Sequence, residues 1–437
     1  MALGQGPSGM SNWKFETGKG RSPGPGSSRQ KVAGSVLCFG GEWAAVAQAW
    51  KQETTAWNRK MKITEVSSEV FQWERPGIWN GGHFYGPGRL HKVTVRTDEG
   101  ITGYGWNGGT AAEKPLHLYP GYVDYFRPLL IGRDPMETRS ISTDLGQKLI
   151  KILGPGGINT QVLAAINIAC WDIKGKALGK SIHQLLGGAQ KRIRTYIAGG
   201  YYAEGKGLEE LQEEVRFNVE ELHASAVKIK IGDPNVGLAG DMRRVEASRQ
   251  AIGDDATLMV DANCALDLET SLEFARLLPD YNVYWFEEPL PIHDYEGHGK
   301  LAEDSLAKDP KLKIATGENG YHLAHFKTLL DHKGASILNV DVAVCPGYDV
   351  AMDIADLAAQ RGVSISPHGC QELQLPLAAG IPHVEYLEYY PVAVDPLRAE
   401  MFLPLLKPDA EGFVTVPDRP GIGFELNMEL LNRYRIA

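Results

Sequence analysis

The chain has 437 residues, 43% of them hydrophobic, with 45 basic against 54 acidic side chains and a formal net charge of -9. That length and apolar content suffice for a barrel-sized core plus a smaller domain, while the acidic balance leaves no basic field to attract nucleic acid or an anionic membrane surface. Five scattered cysteines without CxxC spacing (Cys38, Cys170, Cys264, Cys345, Cys370) argue against a disulfide framework or structural zinc, and the absence of a bilayer-length apolar run or a secretory leader pattern makes a soluble, cytoplasmic protein the expectation.

Residues 1–60 read as a disordered N-terminal extension. Gly, Pro and Ser gather at Arg21-Ser22-Pro23-Gly24-Pro25-Gly26-Ser27-Ser28, and only 43–57 suggests a helix. An upstream start codon or a transit segment would explain the tail equally well, although Glu16, Glu42 and Glu53 weaken the second. Met61-Lys62-Ile63-Thr64 alternates like a strand and opens the globular part. Residues 90–96 alternate, Asp98-Glu99-Gly100 makes a hairpin turn, and 101–106 returns, which is an antiparallel meander. Trp79-Asn80-Gly81-Gly82-His83-Phe84-Tyr85-Gly86-Pro87-Gly88 is a Gly-rich loop with rings, suited to a lid or, more plainly, to covering the core. His83 and Asn80 in it are candidates to bind substrate hydroxyls.

Residues 120–186 read as helical, with Val162, Ile166, Ala169 and Ile173 on one face and a stop at Leu185-Leu186-Gly187-Gly188. Strand-like runs then recur at 193–198, 226–231, 257–260, 283–286, 313–316, 336–340, 363–366 and 384–387, each followed by a segment of helical character. Eight such runs predict a parallel β/α barrel. The last 30 residues or so lose this alternation and are expected to return to the first domain.

An ionisable residue stands at the end of most of these runs, and in such a barrel the C-terminal strand ends share one face. Asp261, Glu287 and Glu318 are separated by 26 and 31 residues, one β/α unit each. Three carboxylates in one pocket repel unless a cation compensates them, and oxygen-only ligands suit Mg²⁺ or Mn²⁺ better than zinc; the plain alternative is that one or more caps a helix or pairs with a lysine. Lys228 and Lys230 lie two apart and point to one side of a strand. Facing the barrel interior they would raise each other's cost of being charged, so that one has a depressed pKa and acts as a base; facing outward they would be solvated charges. The register of the other sites favours the interior.

Asp341 and His368 are again one unit apart, the arrangement that orients an imidazole and raises its basicity. A lone histidine in the turn Ser366-Pro367-His368-Gly369 would otherwise be read as structural. Glu388 at the last strand suits a carboxylic acid that hydrogen-bonds a substrate carboxylate, or a helix cap. Together these groups describe removal of a proton next to a carboxylate.

The set resembles the enolase superfamily and, within it, the mandelate racemase subgroup, the mandelate racemase/muconate lactonizing enzyme family. The text that carries the likeness includes Ile131-Gly132-Arg133-Asp134-Pro135, Trp171-Asp172-Ile173-Lys174-Gly175-Lys176, Val227-Lys228-Ile229-Lys230-Ile231-Gly232, Val260-Asp261-Ala262-Asn263, Phe286-Glu287-Glu288-Pro289, His293-Asp294-Tyr295-Glu296-Gly297-His298, Gly317-Glu318-Asn319 and Pro420-Gly421-Ile422-Gly423. It implies an α/β fold, a modified TIM-type β/α barrel at 191–390 beneath an α+β N-terminal capping domain at 61–190 with a lid at 79–88, and a C-terminal segment at 391–437 returning to the cap. It implies one Mg²⁺ per subunit on Asp261, Glu287 and Glu318, with Mn²⁺ an alternative, and Lys230 and His368 as the two acid/base groups. Lys228 would neutralise the substrate carboxylate, Glu388 would hydrogen-bond it, and Asn263 would contact substrate or water near the metal. A departure from the pattern is the longer gap before Glu318, where 302–310 reads as an insertion.

The run Ala198-Gly199-Gly200-Tyr201-Tyr202 followed by Gly205-Lys206-Gly207-Leu208 is locally similar to D-tartrate dehydratases. The expected activity is Mg²⁺-dependent formation of an enediolate followed by β-elimination of water from a small-molecule carboxylate, an acid sugar or hydroxy diacid. The alternative is racemisation or epimerisation of an α-hydroxy acid by the same two bases. A non-catalytic barrel would require a broken position among Lys230, Asp261, Glu287, Glu318 and His368, and none is broken. Family habit implies a homo-oligomer.

Overall fold

The computed structural model describes residues 60–108 and 115–436. Of the extension expected at 1–60, with its helix at 43–57 and Cys38, all but Lys60 lies outside the described residues. The chain enters β1 (Ile63–Trp73), makes the short hairpin β2 (Ile78–Trp79) and β3 (Phe84–Tyr85), and returns through β4 (Gly88–Thr97) and β5 (Thr102–Gly108). β1, β4 and β5 form the antiparallel meander in that order, with the Gly100 N–H closing the turn onto the Thr97 carbonyl.

The sheet lies on the long helix Ile158–Leu178. Two glycines permit the close approach: a Cβ on Gly103 would stand 2.1 Å from the Ala169 carbonyl oxygen, and one on Gly105 would stand 2.0 Å from that of Ala165. The helix is buried from Asn159 to Gly175, so the single stripe of Val162, Ile166, Ala169 and Ile173 understates its contacts. A helix packed on every side has no solvent face to keep polar. Asn167 and Trp171 on it donate to Asp349 Oδ2 at 2.8 and 2.9 Å, joining it to the barrel helix Tyr348–Arg361.

Next come β6 (Arg192–Ala198), β7 (Ala226–Lys230), β8 (Thr257–Asp261), β9 (Val283–Glu287), β10 (Lys313–Thr316), β11 (Ile337–Leu338), β12 (Ser364–Ile365) and β13 (Leu387–Tyr389). They form one parallel sheet ordered β12-β11-β10-β9-β8-β7-β6-β13. A bridge between Ile365 and Val384, just ahead of β13, brings the two ends of the sheet together. All eight runs therefore become strands, although the last begins at Leu387 and not at Val384.

Strand alternation sorts the side chains into two cores. Val227, Ile229, Leu258, Val260, Phe286 and Ile314 pack with the surrounding helices, whereas Tyr196, Ala226, Met259, Trp285, Ala315 and Ile337 fill the interior. Tyr196 meets Trp285 edge-on at 5.0 Å, so the barrel is plugged beneath its mouth as a packed core. Residues 302–310 begin as the last turns of helix Tyr295–Lys308, on the outer helix side, with Leu301 and Ala302 buried in the helix layer. After β13 the chain adds Phe413–Thr415 antiparallel to β6, then reaches Asp172 through the Ile422 N–H (3.1 Å) and Val70 through the Ile436 N–H (2.8 Å). No helix among the described residues is long and apolar enough to cross a membrane.

His91 on β4 is fully buried, with Nδ1 3.4 Å from Asn107 Oδ1. Burial pushes its pKa down to about 4, opposed only by the Asn107 contact. An unfolded chain protonates this ring near the ordinary 6.5, so stability contributed by the neutral ring is complete above that value. It is lost as pH falls toward 4, a loss on the order of 3 kcal/mol. His91→Met is expected to fold at pH 7 and to show a shallower fall in melting temperature between pH 6.5 and 4.5, measured by calorimetry; an unchanged slope would contradict the assignment.

Candidate active site

The in-register parallel pairs Lys230 with Asp261 and Asp261 with Glu287 put three ionisable groups at one height around the barrel mouth. Ile229 packs outward among the helices, so Lys228 and Lys230 point inward, resolving the choice that the strand alone left open. Glu318 arrives two residues past β10, after Gly317 at φ 125°. A side chain on Gly317 would also collide with Phe326, 2.8 Å from the Cβ position.

Oxygens of Asp261, Glu287 and Glu318 lie within 4.8 Å of one another. Asp261 and Glu287 are fully buried, and Glu287 Oε2 has no hydrogen-bond partner. Burial, with Asp261, Glu388 and Glu318 nearby, drives the Glu287 pKa well above the usual range despite Lys228. Glu318 is pushed up to about 7, chiefly by burial. Asp261 is held low, because Lys230 and Lys228 together outweigh its burial. The donor set, all oxygen and partly orphaned, fits a hard divalent cation.

Neither lysine has the depressed pKa expected from their proximity. Burial lowers each, but facing acids outweigh it and both are raised well above the ordinary lysine value. Lys230 Nζ donates to Asp261 Oδ2 at 2.5 Å. Lys228 Nζ lies 2.7 Å from Glu287, 3.0 Å from Glu388 and 3.4 Å from Asp261, with no side-chain exposure. It is thus enclosed by the three carboxylates.

His368 and Asp341 come together as their spacing predicts, Nδ1 to Oδ2 at 3.1 Å. Asp341 Oδ1 is fixed in turn by the Ala343 N–H and Gln374 Nε2, both at 2.7 Å. Gly369 between them is required: at φ 100° its Cβ would stand 2.5 Å from Asp341 Oδ2. His368 Nε2 is left facing Glu318 Oε2 at 3.3 Å. At Glu388 burial opposes the charge, but Lys228, His368, Lys230 and the Gly369 N–H bring its pKa down to about 2, and its Oε2 accepts from the Gly369 N–H at 2.9 Å.

Lys230, Glu318, His368 and Asn263 share a cavity of 450 Å³ with His83 and Asn80 from the loop expected as a lid. That loop is the β2–β3 hairpin. Trp79 exchanges backbone hydrogen bonds with Tyr202 (2.9 and 3.0 Å) and donates its indole N–H to Asp233 at 2.6 Å. Asn263, at φ 45°, donates its N–H to Asp261 Oδ1 at 2.8 Å and keeps its own Oδ1 without a partner. Tyr85, Tyr201 and Tyr390 also line the cavity and were not singled out as site residues, although Tyr390 stands two past Glu388 and shares its facing. A larger cavity of 730 Å³ beside Tyr104 and Phe424 holds none of these groups, and its two lysines, Lys92 and Lys176, are paired with Glu69 and Asp172.

Comparison with known proteins gives a consistent set. Residues 87–187 match the family described as mandelate racemase/muconate lactonizing enzyme, N-terminal domain, and residues 210–430 match enolase C-terminal domain-like proteins. An arabinonate dehydratase of Saccharolobus solfataricus is 28% identical over 80% of this chain and 91% of its own. A D-galactarolactone cycloisomerase of Agrobacterium fabrum is 30% identical over 86% and 99%. A racemase from Streptomyces coelicolor, solved with bound magnesium, superposes with a TM-score of 0.78 at 26% identity, covering 86% of this chain and all of that one, 100%.

Beneath the triad, Glu288 is buried with both oxygens saturated: Oε1 accepts from Thr316 Oγ1 (3.0 Å) and the Gly317 N–H (3.2 Å), Oε2 from Cys264 Sγ (2.8 Å) and Asn319 Nδ2 (3.0 Å). Glu288→Gln would set an amide donor against donors. A loss of about 2 kcal/mol in urea unfolding is expected, and a neutral result would show that the network adjusts freely.

Proposed function

The chain belongs to the mandelate racemase and muconate lactonizing enzyme family, and on that premise we propose that it removes the proton next to the carboxylate of an acid sugar or hydroxy diacid, forming an enediolate that expels its β-hydroxyl as water. The observation that carries the reading is that two acid/base groups, Lys230 and His368, line one cavity with Glu318, whose carboxylate lies within 4.8 Å of those of Asp261 and Glu287. The outer wall of amides and phenols suits the hydroxyls of such a substrate.

Asp261, Glu287 and Glu318 would hold one Mg²⁺ per subunit, Mn²⁺ being an acceptable substitute. When bound, the ion supplies Lewis-acid stabilisation of negative charge on the substrate carboxylate. With Asp261 engaged as a metal ligand, the carboxylate would no longer hold Lys230 as the ammonium, and the neutral Nζ, at the Asp261 side, would take the α-proton. His368, its Nδ1 held by Asp341, presents Nε2 at the Glu318 side and delivers a proton to the leaving oxygen. Glu388 and Lys228 act from behind the wall: Glu388 favours the charged imidazolium, and Lys228 offsets the crowded acids. Asn263, His83 and Asn80 bind hydroxyls of the chain beyond the reacting carbons.

The dehydratase among the relatives supports elimination. Two bases open to one cavity also allow removal and return of the proton with inversion, which is the racemase alternative. In this reading 61–190 is the cap, with its lid at 79–88, 191–390 the catalytic barrel and 391–437 the segment that ties them. A cytoplasmic homo-oligomer accords with the free thiols of the four described cysteines and with family habit.

Incubated in D₂O with Mg²⁺ and arabinonate, xylonate, galactarate or tartrate, the enzyme is expected to release a 2-keto acid from at least one; α-deuteration with inversion and no keto acid would favour racemisation. His368→Asn should lower kcat by roughly 1,000-fold while binding Mg²⁺ normally. Glu287→Gln should weaken Mg²⁺ at least about 100-fold by titration calorimetry, and undiminished affinity would remove it from the ligand set.

A further inference from the structure

We propose that the Tyr390 hydroxyl, together with His368 Nε2, grips the departing β-hydroxyl oxygen and so commits the enediolate to elimination; this rests on the acid-sugar reading above. Tyr390 lines the cavity at 6% exposure. It belongs to the buried apolar cluster that includes Tyr201, Tyr386 and Val394, and its backbone N–H is tied to Gln371 Oε1 at 3.1 Å. The hydroxyl is thus aimed by a rigid wall. It stops 3.4 Å from His368 Nε2, too long for a strong hydrogen bond and short enough for one oxygen to sit about 2.8 Å from both.

The other groups facing Nε2 cannot share that task. Glu318 Oε2 at 3.3 Å and Glu388 Oε2 at 3.7 Å are acceptors when ionised, and an oxygen leaving a carbon needs donors. Burial, reinforced by Glu388, holds the Tyr390 phenol well above its ordinary pKa, so the O–H stays in place through the working pH range.

The step balances without any added reactant. Lys230 takes the α-proton and its C–H electrons enter the enediolate. Those electrons then form the Cα–Cβ double bond as the Cβ–O bond breaks. The oxygen leaves with its electron pair, receives the proton of His368 Nε2, and departs as water; the enol left behind tautomerises to the 2-keto acid. Tyr390 donates a hydrogen bond to the oxygen while its charge grows and keeps its own proton. Such a donor stabilises only the second half of the reaction.

The test compares wild type with Tyr390→Phe, both loaded with Mg²⁺, following α-proton exchange and keto-acid release in D₂O with the same four acids. Expected for Tyr390→Phe are exchange within threefold of wild type, KM within threefold, and keto-acid release reduced roughly 100-fold. With the β-fluoro analogue of the acid that wild type converts, where fluoride leaves without a donor of this kind, the deficit should shrink to under tenfold. A residue that merely supported the wall would lose both substrates equally. Equal loss of exchange and elimination, or no loss of either, overturns the proposal. Wild type that exchanges the α-proton without keto acid removes the leaving-group role, and wild type that does neither removes the acid-sugar reading itself.

Discussion

Charge balance in a buried space governs this molecule. Asp261, Glu287, Glu318 and Glu388 surround two ammonium groups, Lys228 and Lys230, at the barrel mouth. His368 and Asp341 add a pair that is neutral overall when the imidazole is charged. The remaining excess is two negative charges where water cannot screen them, and a dication would cancel it. Without compensation the excess must appear as raised carboxyl pKa values, as it does at Glu287 and Glu318. Asp261 and Glu388 stay low because the lysines, joined at Glu388 by His368 and the Gly369 N–H, outweigh their burial.

Much of this was legible in the residues, because strand register converts spacing into height. One β/α unit separates each acid from the next, and the parallel pairs Lys230 with Asp261 and Asp261 with Glu287 place those groups side by side. The triad and the Asp341–His368 pair were recoverable for that reason. Facing was not fixed by the strand alone, since both the helix layer and the barrel interior offer apolar partners; Ile229 packs in the helix layer. What spacing cannot supply is depth and partnership. Lys228 and Lys230 are similar in text, yet one lies behind the acids and the other borders the cavity. Their pKa values depend on the facing acids as well as on mutual repulsion, and whether a strand-end acid such as Glu388 donates or accepts depends on neighbours that come from other strands.

The misplaced start of the last strand has a physical origin. A short run is assigned by its own pattern, but its ends are set by what it packs against. The last strand starts at Leu387 because Val384 is occupied bridging Ile365 to close the sheet. Helix Tyr295–Lys308 likewise runs on past Leu301 and Ala302, which pack in the helix layer. On helix Ile158–Leu178 the four expected positions are buried, and the sheet, made smooth by Gly103 and Gly105, and the barrel together bury the rest.

These distinctions decide how chemistry divides in the cavity. In the proposed reaction the groups that share the triad's charge, the lysines and Glu388, bear on formation of the enediolate, because each changes the energy of negative charge near the carboxylate. The fate of that intermediate falls to groups around His368 Nε2, on the outer side of the triad. Tyr390 is such a group: it reaches only the outward nitrogen of His368, and its packing belongs to the aromatic plug and not to the acidic ring. A barrel of this construction can therefore keep its first step constant and change the second through a single phenol whose position is set by apolar packing. An array of ionisable residues alone therefore does not name the second step.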